Sequence, residues 1–317
     1  LSISQTGSDY GYLNGRVETT RVEAKWRKLR ERTIEFGMFL CALSSVAVTL
    51  GIVWVLIVES WHFFANVSLF DFLTDTQWTV LFENPRYGIM PLVTGTLVTS
   101  AIALLVALPL GTVIAIYLSE YANVKVREVL KPILELLSAV PTVVFGYFAL
   151  LFVTPLLQNI LPDLPGFNML SAGIVIGIMI VPYVSSLSED AMKAVPVTIR
   201  EGSYAMGATR LQTALRVLIP AAFSGIASAY VLGFSRAVGE TMVVAVAAGT
   251  QPNLTLNPME GAATITAYIV QVSLGDLPHG SIAYQSIFAA GMTLMCMTLL
   301  FNIGGYLLRK KYREVYE

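Results

Sequence analysis

Charge is scarce in this chain of 317 residues: Asp, Glu, Lys and Arg together make up 13%. A soluble domain carries roughly 25%. That excludes a molecule solvated over its whole surface. Cysteine is nearly absent, and Cys41 and Cys296 both fall inside apolar segments. No disulfide framework or cysteine-based metal site is expected. The two histidines, His62 and His279, lack ligand spacing, so no metal and no resident cofactor is expected. No G-x-x-x-x-G-K-[ST] stretch occurs, which excludes a P-loop nucleotide site in this chain. No His/Asp/Glu cluster or nucleophile–base pair falls at membrane depth, which argues against a membrane-embedded enzyme. Residues 1–35 are polar and the first apolar run is too long for a signal peptide core, so no cleavable signal is expected. The net charge of −1 says nothing about partners; only the distribution of charge does.

What the chain has instead is apolar sequence. Hydrophobic residues make up 55% and the mean hydropathy is +0.68. Six apolar segments follow one another at 36–58, 92–118, 133–157, 169–187, 221–249 and 282–308. The first is about 34 Å long as a helix, enough to span a bilayer. The expected fold class is therefore an all-α membrane protein with six transmembrane helices. Residues 1–20 read as a flexible tail. Residues 21–35 read either as a helix in the cytoplasmic interface or as a solvated lead into the first span. Pro141 and Thr142 either unwind the third span beside a pathway or only kink it. Gly173 and Gly177, at GxxxG spacing, are read as a helix-packing surface rather than a site. Glu135, near the cytoplasmic end of the third span, is read as capping or snorkelling.

The basic residues orient these spans. With the N-terminus in the cytoplasm, eighteen of the 20 Lys and Arg residues fall in cytoplasmic segments. These are the N-terminal segment, the loops around 125–131 and 193–216, and the C-terminal end. The positive-inside rule selects that orientation and puts both termini in the cytoplasm. Two outer stretches remain. Residues 59–91, rich in Trp and Phe, read as an interfacial segment. Residues 251–281, punctuated by Gly and Pro, read as a short helix or re-entrant turn.

Arg236 is the one basic residue left at membrane depth, within the fifth apolar segment, and Glu240 follows four residues later. An ionisable group there costs about 2.5–3.5 kcal/mol on insertion scales, so the default reading is functional. On a continuous helix the two share a face. One reading is an anion site, with the guanidinium as ligand and Glu240 as its holder and competitor. The other is a buried ion pair that fixes helix register or a subunit interface.

The long cytoplasmic connection at about 189–220 reads as two short helices around a turn at Gly207, closed by Pro220. Glu201, Gly207 and Pro220 are spaced E-x5-G-x12-P. This resembles the EAA loop of ABC importer permeases, with Gly202 and Ser203 at the alanine positions and Val217 and Ile219 at the Ile and Leu positions. The resemblance then widens. From about residue 87 to the C-terminus the chain is similar to phosphate-specific permeases of the PstC family. It is carried by YGIMPLVTGTLVTSAIALLVALPLGTVIAIYLSEYA at 87–122, ELLSAVPTVVFGY at 135–147, GIVIGIMIVPYVSSLSED at 173–190, EGSYAMGATR at 201–210 and SRAVGETMVVAVAAGT at 235–250. The R-A-x-G-E-T-M run is the most specific, and Met242 separates it from the PstA branch.

That resemblance implies a type I ABC importer permease fold over residues 36–317, with residues 1–35 as a cytoplasmic tail and interfacial helix outside it. It implies a substrate pathway through Arg236, Glu240 and Thr241, and an ATPase-coupling surface with Glu201, Gly207 and Pro220. It also implies partners: a PstA-like second permease, a dimer of PstB-like ATPase subunits that bind ATP and magnesium, and an external PstS-like phosphate-binding protein. Permeases for sulfate or molybdate would share the loop, and an ion-coupled anion carrier would use Glu240 as a proton relay. Both stay open at this point.

Overall fold

In the computed structural model, residues 8–80, 82 and 84–311 are described, with only the backbone for 8–25, 29 and 311. Among them the protein is helical, with one isolated bridge between Trp78 and Tyr87. It divides into two units, residues 1–58 and 59–317. In chain order the helices are α1 (Ser8–Phe64), α2 (Leu69–Thr74), α3 (Met90–Ile116), α4 (Val124–Ala139), α5 (Thr142–Phe148), α6 (Thr154–Gln158) and α7 (Met169–Lys193). There follow α8 (Val197–Ala205), α9 (Arg210–Thr213), α10 (Ile219–Ala221), α11 (Phe223–Val238), α12 (Met242–Ala247), α13 (Ile265–Ser273) and α14 (Ile282–Lys311). Three π-helical turns interrupt them, at Tyr117–Tyr121, Ala149–Val153 and Ala214–Leu218.

Within the first unit the described residues form α1 as far as Val58. Residues 8–20, expected as a tail, are helical from Ser8; residues 1–7 lie outside the described residues. The Ala/Glu/Lys/Leu/Arg-rich stretch at 21–35 favours helix, and once a helix exists, extending it costs little.

Four helices are long and apolar enough to cross a membrane, and two bent pairs bring the number to six. The bend in the third falls where Pro141 and Thr142 are expected to unwind or kink it; the bend in the fifth corrects the continuous segment expected at 221–249. The third breaks by 87° between α4 and α5. Pro141 removes an N–H and pushes Val140 into an extended conformation (φ −64°, ψ 131°), so the helix cannot pass through. The fifth bends by 77° ahead of Phe223 and then stops at Val238. It resumes at Met242 after a break over Gly239, Glu240 and Thr241. Irregular backbone at this depth survives where it is buried in protein, and Glu240 is 8% exposed.

The core sits between α3 and α7. A Cβ on Gly173 would lie 2.7 Å from Ile102, and one on Gly177 would lie 2.8 Å from the Ala103 carbonyl. The GxxxG pair is therefore a packing surface, which lets the two backbones approach closely. Ala172, Val175, Ile176, Met179 and Ile180 of α7 pack there with Ala103 and Ala107 of α3. A second cluster forms at the opposite end from α8 and α9. Phe63, Phe72, Trp78 and Tyr268 meet edge to face, as when Trp78 and Tyr268 lie at 5.0 Å and 90°. The aromatic segment at 59–91 and the helix α13 are thus joined in one cap.

Candidate functional site

Arg236 lies in the last turn of α11, just before the backbone breaks. Its guanidinium carbon sits 4.2 Å from the ring centroid of Tyr183 on α7. A partly desolvated cation over an aromatic face gains about 0.5–2 kcal/mol, which offsets some of the cost of holding it there. Both residues line a cavity of about 500 Å³ between α4, α7 and α11. Lys131, Glu135 and Ser138 of α4 and Ser186 and Glu189 of α7 complete its polar lining. The Arg236 Nε is buried without a hydrogen-bond acceptor. Arg236 thus borders a space large enough to admit a small oxyanion, whose lining also includes the carboxylates Glu135 and Glu189.

Glu240 is not the holder of Arg236, a correction to the pairing expected from spacing. The helix ends at Val238, so the two residues do not share a face. The Glu240 carboxylate instead accepts from the N–H groups of Met242 (3.1 Å) and Val243 (3.3 Å), which open α12. Its own carbonyl accepts from the Thr266 hydroxyl at 2.7 Å. Glu240 thus caps a helix start and is tied to the α13 segment. Thr241 bonds back to the Gly239 carbonyl at 3.2 Å. Neither residue is in the lining of the Arg236 cavity. The sequence match had grouped Arg236, Glu240 and Thr241 in one pathway; the fold separates the ligand candidate from the residues that shape the break.

Of the two carboxylates in the cavity lining, Glu135 and Glu189, it is Glu189 that the fold surrounds with cations. Its side chain is fully buried and meets Arg127 at 3.5 Å and Lys131 at 3.4 Å. Lys193, one turn on, also pairs with it, and Lys131 reaches Asp190 at 3.0 Å. An unpaired carboxylate there would cost several kcal/mol, so this cluster clamps α4 to the end of α7. Sequence reading missed it by ending the fourth span at residue 187. The helix runs on to Lys193, and the i,i+4 spacing of Glu189 and Lys193 was the available signal. Tyr183 carried no signal at all, since its partner lies 53 residues away. Glu135, read as capping or snorkelling, lines the cavity.

The connection after α7 folds as two helices about a turn, as its sequence suggests. Pro196 precedes α8, and Gly207 takes φ +82°, where a side chain is strained. Thr209 then caps α9 in a reciprocal box with Gln212. No residue of α8 is buried: Glu201 is exposed, as are Val197 (61%) and Met206 (88%). Pro220 lies at the bend into α11.

This combination is that of a polytopic helical transport subunit: crossing helices, a broken span beside a charged cavity, and an exposed helix–turn–helix connection. The chain belongs to the family of binding-protein-dependent transport system inner membrane components, whose pattern matches residues 107–314. It is a multi-pass inner-membrane protein. It is 35% identical over 291 residues to the probable ABC transporter permease protein YqgH of Bacillus subtilis, covering 91% of this chain and 93% of that one. It is 32% identical over 283 residues to the phosphate transport system permease protein PstC of Mesorhizobium japonicum, covering 82% and 84%. Its fold is shared with a chain of a bacterial ABC transporter involved in the import of alginate. The TM-score is 0.63 and the identity 17%, over 90% of this chain and 98% of that one.

Proposed function

We propose that this chain is the membrane permease subunit of an ATP-driven phosphate importer. It forms half of the translocation pathway. Its partners are a PstA-like second permease, a dimer of PstB-like ATPase subunits that carries the ATP–Mg chemistry, and an external PstS-like phosphate-binding protein. Two supports stand behind this: the relatedness to PstC permeases, and the Arg236 guanidinium beside a cavity large enough to admit a small oxyanion. The first is the observation that carries it.

In this reading Tyr183 holds Arg236 while the pathway is empty, and phosphate takes over the guanidinium as it passes. The Glu240 cap maintains the break that leaves Arg236 at the end of its helix. Thr241 belongs to the same break. The exposed loop with Glu201, Gly207 and Pro220 is the ATPase-facing lever, and both termini lie on its side of the membrane. Closure of the ATPase pair on ATP moves the lever and alternates access to the cavity. Reconstitution with the three partners tests this. Phosphate is expected to stimulate ATP hydrolysis and to accumulate in the vesicles. Stimulation by sulfate or molybdate without phosphate would overturn the substrate, and uptake by this chain without ATP would overturn the class.

A further inference from the structure

A single residue, Glu120, receives both helices of the cytoplasmic loop, α8 on its carboxylate and α9 on its backbone carbonyl. It sits in the π-helical turn Tyr117–Tyr121 that ends α3. Its side chain is 2% exposed. Arg200 of α8 pairs with Oε1 at 3.1 Å, and the Tyr204 hydroxyl, one turn further on the same face, donates to Oε2 at 2.7 Å. From the far side of the Gly207 turn, Arg210 of α9 donates to the Glu120 carbonyl at 3.4 Å. Burial, then the Glu120 hydrogen bond, raises the Tyr204 pKa, so the hydroxyl stays a donor.

The covalent route out of the loop does not reach α3. It runs through Pro196 to α7 and through α10 to α11. What joins the loop directly to α3 is the apolar cluster that holds Ala115 with Leu218 and Ile199, which can slide, and the Glu120 contacts, which are directional. Movement of the loop without α3 would strand a buried carboxylate, so the two move together. Leu118, two residues before Glu120 in the same turn, lines the cavity that contains Arg236. π-turns recur where helices deform for function.

We propose that Glu120 is the positioning residue through which the cytoplasmic loop drives the end of α3, and with it the Leu118 wall of the Arg236 cavity. This rests on reading that loop as the ATPase-facing lever. Glu120 contacts no substrate; it carries motion. Its loss uncouples hydrolysis from transport rather than abolishing either site.

The test uses the assembled importer in proteoliposomes, with ATP hydrolysis and phosphate uptake measured on the same vesicles. E120Q and R200Q are each expected to assemble, to hydrolyse ATP at near the normal rate, and to move about five- to tenfold less phosphate per ATP, the low end of a typical coupling between sites. The double variant is expected to fall no further than either single one. The proposal is overturned if the singles keep the wild-type ratio, if their losses multiply in the double variant, or if uptake and hydrolysis fall in parallel. Should E120Q not assemble, R200Q and Y204F on the exposed loop decide the matter by the same ratio. If the wild-type importer carries sulfate instead of phosphate, only the substrate reading falls, and the ratio is read on sulfate.

Discussion

At the scale of single residues, Arg236 and Glu240 are expected to fail differently when changed. Arg236→Lys keeps the charge but loses the planar fork. A charge-assisted hydrogen bond contributes about 1.5–3 kcal/mol, so uptake is expected to fall by roughly ten- to a hundredfold. Glu240 acts through its oxygens on the Met242 and Val243 N–H groups. Glu240→Gln keeps one acceptor oxygen and is expected to transport better than Glu240→Ala, which loses a cap worth about 1 kcal/mol. Equal uptake by the two Glu240 variants would show that its charge, not its cap, matters. Both are measured as phosphate uptake by the assembled importer, normalised to the amount inserted.

A second residue-scale expectation concerns pH. Hydrogen bonds from Thr255 and Asn257, with Asn253, hold the Glu260 pKa below its usual value. A lowered folded pKa means the contribution is present above the unfolded pKa of about 4.5 and is lost as pH falls through the folded value. The 253–260 loop is therefore expected to gain hydrogen exchange, corrected for intrinsic rates, on acidification below about pH 4.5. Glu260→Gln removes that pH step. A loop equally protected on both sides of the step would disprove the assignment.

At the scale of elements, the α3–α7 contact controls stability, while the two breaks place the site. Gly177→Leu would drive a side chain into Ala103 and Val106. Overpacking of this kind costs about 1–3 kcal/mol, so a lower melting temperature in detergent is expected. Unchanged stability would mean that the two helices separate easily, and with them the cavity wall.

At the scale of the molecule, the orientation taken from the positive-inside rule is open to direct labelling. With Cys41 and Cys296 replaced by Ala, a cysteine at Met206 is expected to react with an impermeant maleimide only from the cytoplasmic side. One at Leu256 is expected to react only from outside. Both positions are well exposed, at 88% and 79%. The reverse pattern would invert the topology and disconnect the lever from any cytoplasmic ATPase.

The sequence by itself determined what depends on composition and local spacing. Apolar segments longer than a bilayer dictate spanning helices, because backbone groups in lipid must bond within their own segment. The loop's turn was legible because only a residue such as Gly207 tolerates its conformation. Arg236 stood out because charge at that depth is costly. Local spacing misled where a helix was assumed to continue: Glu240 matched Arg236 by count, yet the break at Gly239 turned it into a cap. Only the tertiary structure could decide which distant groups meet. Tyr183 beside Arg236, the cations around Glu189, and Arg200 and Tyr204 on Glu120 join segments tens of residues apart. No local pattern encodes such meetings, because a buried charge takes whichever partner the packing of helices brings within reach.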